Sequence, residues 1–241
     1  MQASSPSPVL DVRPANLVLG VDTCGPSGSV ALGRLHPSGE LEIVGQVELE
    51  GRSYSASLVA AVRDLLNAAG ARVADLGCIV AVNGPGSFTG VRVGLSAVKG
   101  LAEPAQVPVV AVSRLAVLAA KAGAASAALD AHRHEIFLRL TAAEREPREL
   151  LAGARELAEL EPAQGPVAVC DETADVLLVA AWPDVELVRV SAPSAADALR
   201  LCVPRIAAKD FVDLALLDGH YLRRSDAEIF GEPAAAAARR T

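Results

Sequence analysis

Two apolar strands that each close on an aspartate and each lead into a hairpin constrain this chain more than any other feature. The first is "NLVLGVDT", ending at Asp22; the second lies in "ASAALDAHRHEIFLRL", where the strand ends at Asp130 and the chain turns around Ala131 to His134. After Asp22, "GSVALGRL" and "ELEIVGQVEL" read as two more strands about the turn "PSG", so Leu17 to Leu49 is expected to form a three-stranded antiparallel meander. In "SASLVAAVRDLLNAAG", Leu58, Val59, Val62, Leu65, Leu66 and Ala69 fall on one helical stripe, stopped by Gly70. "LGCIVAVNG" is a fully apolar strand, "TGVRVGLSAVKGL" a helix, and "VPVVAVS" a buried strand entering the helix "RLAVLAAKAG". The second half follows its hairpin with a helix over "AGARELAEL", a strand "GPVAVCDE", a helix "TADVLLVAAW", a strand "VELVRV" and a long helix "SAADALRLCVPRI". Mixed sheets with helices packed on them follow, arranged as two similar α/β lobes.

The chain has 241 residues, enough for two lobes of about 100 residues each. Residues 1–15 and 230–241, rich in proline, alanine and small polar residues, are expected to be a poorly ordered extension and a flexible tail. That leaves 16–112 as the first lobe and 113–229 as the second. No apolar run approaches the roughly 20 residues that cross a bilayer, and the polar start is no signal peptide, so the expected location is the cytoplasm. Cys24, Cys78, Cys170 and Cys202 are scattered without metal-ligand spacing and are expected to be reduced thiols. A formal net charge of −7 argues against a chain that grips nucleic acid alone, because that affinity comes from Lys and Arg on phosphates.

"NGPGSFTGVRVG", Asn83 to Gly94, looks at first like a phosphate cradle. A Walker A loop would need lysine after its last glycine, but Val91 follows Gly90, and Pro85 removes an amide donor. The dinucleotide fingerprint fails too, with Thr89 at its last glycine position. Helix geometry offers another reading. Ser87 or Thr89 can cap a helix on which Gly90 and Gly94 stand one turn apart with Ala97 close by, and each interior glycine costs about 1 kcal/mol relative to alanine. Such a smooth face admits another backbone, either the neighbouring strand of this chain or a helix of another subunit.

Together, "VLGVDTCGPSGSVAL", "GPGSFTGVRVGLSAVKGLA", "ALDAHRHEIFLRL" and "HYLRRSDAE" resemble the TsaB (YeaZ) family, in that order along Leu17 to Glu228. The resemblance implies two tandem ribonuclease-H-like lobes of the actin and Hsp70 (ASKHA) type. It also implies a non-catalytic partner subunit of the machinery that makes threonylcarbamoyladenosine at position 37 of tRNA. Such a subunit pairs through first-lobe helices with the catalytic paralogue TsaD, or with itself; TsaE adds an ATPase, and ATP and metal belong to those partners. tRNA is then met only through the complex. The family's pairing helices correspond here to Ser55–Ala69 and Thr89–Leu101, which makes Leu58, Val62, Leu65, Leu66, Gly90, Gly94 and Ala97 the expected partner interface. On that reading Gly94→Leu should leave the isolated chain folded and abolish pairing.

The H-x-x-x-H metal pair of TsaD-type members has no counterpart in the first helix, where Tyr54 stands in place of the histidine of many relatives. Asp22, Thr23, Gly25 and Ser27 match the first phosphate turn of actin-like ATPases. In the second lobe Cys170, Asp171 and Glu172 replace a glycine turn, and their carboxylates would repel a polyphosphate. The inter-lobe cleft marked by Asp22, Thr23, Ser27 and Asp171 is therefore expected to be a degenerate nucleotide cleft without a cofactor of its own. The competing expectation is an actin-like ATPase or small-molecule kinase acting through that cleft. "DAHRHE" holds ligand-type residues at a hairpin tip, Asp130, His132, His134 and Glu135, with solvated side chains as the plainer reading. Arg92, Lys99, Arg223 and Arg224 are the basic candidates for contact with a partner or tRNA phosphate.

Overall fold

Strand β1 (Leu17–Asp22) buries every residue after its first, on both faces, so it must be an interior strand covered on both sides. The computed structural model describes residues 16–50, 53–141 and 146–223; the expectations for residues 1–15, Arg224 and 230–241 lie outside the described residues. β1 pairs antiparallel with β2 (Ser27–Leu35), and β2 with β3 (Leu41–Glu50), which is the expected meander. On its other edge β1 runs parallel to β4 (Leu76–Val82), and β4 to β5 (Val109–Val112), giving the order β3-β2-β1-β4-β5. Helices α1 (Tyr54–Ala68) and α2 (Phe88–Ala105) follow β3 and β4.

The second sheet repeats this plan. β6 (Ser126–Asp130), β7 (Glu135–Leu140) and β8 (Arg148–Gly153) form an antiparallel meander. β9 (Val167–Val169) runs parallel to β6, and β10 (Leu187–Arg189) parallel to β9, giving β10-β9-β6-β7-β8. α4 (Ala154–Glu159) and α5 (Glu172–Ala181) stand where α1 and α2 stand in the first lobe. The duplication is the pair of ribonuclease-H-like lobes that the resemblance implies. One element differs from the sequence reading: "LLAG" is strand, paired in register with Glu135–Leu138, and the helix begins only at Ala154. The stretch is apolar enough for either state, and the hydrogen bonds offered by β7 decide it.

The last helix of each lobe crosses to the other sheet. α3 (Arg114–Ala122) follows β5, yet its Leu115, Leu118 and Ala119 pack with Ala127, Leu129, Phe137 and Ala168 of the second sheet. α6 (Ala195–Ala207) follows β10, yet Ala195, Ala198, Leu199 and Cys202 belong to the first core. A Cβ on Gly20 would lie 2.7 Å from the Ala195 carbonyl oxygen, so β1 and α6 meet backbone to backbone. Phe211, Val212, Leu214 and Leu217 pack against the same core, and the Val212 amide donates to the Val109 carbonyl at 2.9 Å. Within the stretch 113–229 expected as the second lobe, α6 and the described segment after it cover the first sheet.

The glycines of α2 face this chain. Ser87 caps the helix by accepting the Gly90 amide at 3.3 Å, and the Ser87 amide donates to the Cys24 carbonyl at 2.7 Å. A Cβ on Gly90 would stand 2.0 Å from the Thr23 carbonyl oxygen, and one on Gly94 would stand 2.2 Å from Thr23 Oγ1. Thr23 Oγ1 donates to the Gly90 carbonyl at 2.7 Å. Of the two partners left open by the sequence, the neighbouring turn of the same chain is the one that the glycines admit. Leucine at position 94 has no room, so Gly94→Leu reports on folding and not on pairing. Gly100 is exposed with nothing within 4 Å of its missing Cβ. One substitution should therefore act with opposite sign at two positions of one helix. Gly100→Ala should stabilise by about 0.5–1 kcal/mol through helix propensity, and Gly94→Ala should destabilise by about 1–3 kcal/mol through overpacking, both read from urea denaturation of the isolated chain.

Candidate functional site

The concave surfaces of this fold include a cleft of about 920 Å³ between the lobes and a groove of about 310 Å³ between α1 and α2. At the base of the cleft β1 ends in Asp22, whose side chain is 1% exposed, 3.4 Å from Nε of Arg114, 6% exposed. The other Asp22 oxygen accepts the Cys24 amide at 2.8 Å. Arg114 is the first residue of α3, the positive end of the helix dipole, where a cation is disfavoured unless a carboxylate offsets it. Burial works against its charge, yet Asp22 beside it holds the guanidinium above the ordinary arginine range. Gly25 is small because Arg114 lies against it: a Cβ there would stand 2.3 Å from Nη2. Tyr54 is buried under the same turn, donating to the Gly25 carbonyl at 2.8 Å, and burial and then Asp22 push its hydroxyl to about 12.

Of the residues expected to mark the cleft, Ser27 is exposed and lines it. Asp171 also lines it, but one oxygen caps α5 at the Ala174 amide (2.8 Å) and the other accepts the Asp130 amide (2.9 Å). Asp22 and Thr23 lie beneath the surface, bound as described. Cys24 and Cys170 line the cleft, and burial, then the neighbouring Asp22 and Asp171 respectively, push both thiols up, so they are neutral near pH 7. At the hairpin tip His132, Arg133 and His134 all have positive φ, and Asp130 takes the His132 amide at 2.7 Å. Among the described residues no group of three or more His, Cys, Asp or Glu is placed to hold a metal ion, and no helix is long and apolar enough to cross a membrane.

The segment after α6 returns across the cleft mouth and touches both lobes. On the first lobe, the His220 amide donates to the Asn83 carbonyl at 2.7 Å, and Tyr221 stacks on Phe88 at 4.4 Å, with the Arg92 guanidinium 4.4 Å from the Phe88 ring centre. On the second lobe, Arg223 binds the Ala131 carbonyl at 2.8 Å and pairs with Glu135. His220 Nε2 lies 2.8 Å from Glu149, which also accepts from Ser113 at 2.6 Å and Arg139 at 2.7 Å. Arg114, Glu149, His220 and the Phe88–Tyr221 stack were not singled out in the sequence. A charge opening the otherwise apolar helix "RLAVLAAKAG" was the one available signal for Arg114; the others are brought together by long-range topology.

The α1–α2 groove is lined by Ser55, Val59, Arg92, Val93, Ser96 and Ala97 over Tyr54 and Leu58. Leu58, Val62 and Leu66 are 2–3% exposed, and Leu65 meets Gly45 of β3, so these four expected interface residues serve the chain's own core. Gly90 and Gly94 are buried against Thr23, as above. Ala97 lines the groove, and Val59, which lies on the same stripe, is 54% exposed.

Burial would raise the Glu149 pKa, but the hydrogen bonds from His220, Ser113 and Arg139 prevail and hold it below the ordinary glutamate range. A folded pKa below the unfolded one gives stability that is full above the unfolded value and lost as pH falls through the folded value. Glu149→Gln should therefore destabilise by about 1–3 kcal/mol at pH 7, with the gap to wild type narrowing as pH drops below the ordinary glutamate range, measured by urea denaturation across pH.

Comparison with known proteins places this geometry in a family. Residues 47–149 match the family described as TsaD: tRNA N6-adenosine threonylcarbamoyltransferase. The curated protein "tRNA threonylcarbamoyladenosine biosynthesis protein TsaB" of Escherichia coli (strain K12) is 33% identical over 126 residues, 50% of this chain and 52% of that protein. Its namesake in Bacillus subtilis (strain 168) is 34% identical over 124 residues, again 50% and 52%. The chain thus spans about half the length of the curated relatives it matches. Two solved structures from Pseudomonas aeruginosa match further. One, an uncharacterized protein with similarity to peptidase YEAZ, has a TM-score of 0.69 and 31% identity over 86% of this chain and 100% of its own. The other, YeaZ, has a TM-score of 0.67 and 31% identity with the same coverage. With 31% identity and a TM-score of 0.67 along the whole of solved YeaZ, the chain belongs to the TsaB (YeaZ) family.

Proposed function

We propose that this chain is a non-catalytic partner subunit of the machinery that installs N6-threonylcarbamoyladenosine at position 37 of tRNA. Its pairing surface is the α1–α2 groove, its partner the catalytic TsaD-type paralogue, and a TsaE-type ATPase completes the complex; in isolation the same face pairs two copies. ATP and metal reside on those partners, tRNA is reached only through them, and the complex works in the cytoplasm. Family membership supports the reading, since curated relatives carry the name of tRNA threonylcarbamoyladenosine biosynthesis proteins. Those names do not favour an ATPase or kinase working alone through the cleft.

The observation that carries the choice of surface is Val59, a valine 54% exposed on a helix whose Leu58, Val62 and Leu66 are buried. Beside it Val93 and Ala97 line the groove, so a continuous apolar strip remains after the chain's own core is complete. Arg92 borders the strip and supplies a charged rim.

The test is co-purification of the tagged full chain from its own cell extract. The wild type should retain the TsaD-type paralogue, and Val59→Arg should lower its recovery by about tenfold or more without changing the thermal unfolding of the isolated chain. Undiminished recovery with Val59→Arg would remove this face as the contact, and a wild type that retains no such paralogue would overturn the subunit reading.

A further inference from the structure

The cleft gathers arginines on an acidic protein. Its lining carries Arg92, Arg114, Arg133 and Arg223 with Asp130 and Asp171, and two of the arginines have a carboxylate partner, Arg114 in Asp22 and Arg223 in Glu135. Both aspartates are turned to the protein: Asp171 binds two backbone amides, and Asp130 binds the His132 amide and lies 3.0 Å from His132 Nδ1.

Arg114 supplies the specific observation. The guanidinium is 6% exposed and touches Asp22 through Nε alone, and among the described residues neither Nη donates a hydrogen bond. Arg114 lines the cleft, with Nη2 against Gly25 at its wall. Four N–H donors on a charge this deeply buried call for an acceptor, and the planar fork fits two oxygens of one carboxylate or phosphate. The start of α2 lies on the same cleft: Ser87 and Phe88 line it, and the Phe88 and Thr89 amides have no acceptor among the described residues. The stacked rings of Phe88 and Tyr221, flanked by Arg92, offer a flat apolar wall to the remainder of a ligand. A volume of about 920 Å³ suits a small organic molecule.

We propose that the inter-lobe cleft binds a small organic anion, whose carboxylate or phosphate oxygens are held in the fork of the two Arg114 Nη groups. The α2 amides share the charge, and the Phe88–Tyr221 stack receives the body of the ligand. The site belongs to the lone chain and does not depend on the pairing proposed above.

Calorimetric titration of the full chain at low ionic strength, with inorganic pyrophosphate in one arm and malonate in the other, tests it and separates the phosphate source from the carboxylate source. Saturable binding at one site per chain is expected in at least one arm. Arg114→Lys keeps a cation beside Asp22 but loses the fork, and should weaken binding by about tenfold or more. Ser27→Glu, on an exposed residue of the lining, places a negative charge at the mouth without touching Arg114 and should weaken it in the same direction. Absence of saturable binding in both arms would overturn the proposal, as would binding that both variants leave within about twofold of wild type.

Discussion

A carboxylate and a guanidinium shut away from water must keep each other, since removing either leaves an uncompensated buried charge at a cost of about 3–5 kcal/mol. Asp22 and Arg114 stand in that relation at the one place where the first sheet hands the chain to the second. Asp22 ends β1, and Arg114 opens the helix that leaves β5 to cover β6, β7 and β9. Around the pair everything is cut close. Gly25 leaves room for the guanidinium, Gly28 for the Tyr54 ring, Gly86 and Gly90 for the backbone of Cys24 and Thr23, and Gly94 for the Thr23 side chain. The turn after β1 is thus clamped from α1, α2 and α3 at once, and the geometry of the cleft floor follows from that clamp.

Much of the fold was legible because it rests on local pattern. The meander of Leu17–Leu49, the stripe of α1 and the apolar β4 and β5 each carry their period in the sequence, and the matching Asp22 and Asp130 hairpins announce the duplication. What was not legible was which surface each apolar face would meet. The stripe Leu58, Val62, Leu65, Leu66 reads equally well as core or as interface; only the position of β3 and its Gly45 decides, and leaves Val59 outside. The glycines of α2 posed the same choice, settled by Thr23, a residue 67 positions from Gly90 in sequence. Glu149 faces Arg139 directly across the β7–β8 pair, but it also gathers Ser113 and His220 from two distant segments, which no spacing rule could bring together.

The two surfaces differ in kind. The α1–α2 strip is apolar, shallow and outward, suited to a protein face; the cleft is larger, lined by arginines and crossed at its mouth by His220 to Arg223. They share Arg92, which rims the groove and lies over the Phe88 ring at the cleft. Occupation of either surface therefore bears on the side chain that borders the other.

The exchange of α3 and α6 between the sheets also fixes how the chain can be built. The first sheet is complete in sequence by Val112, but the helix that covers its second face arrives only at Ala195–Ala207. During synthesis β1 and β4 must hold an apolar face open until almost the whole chain is made, which is the situation that slows folding and invites chaperones. Neither lobe is a severable unit: a cut between them would strip each sheet of the helix lent by the other. The chain therefore behaves as one cooperative body despite its internal symmetry.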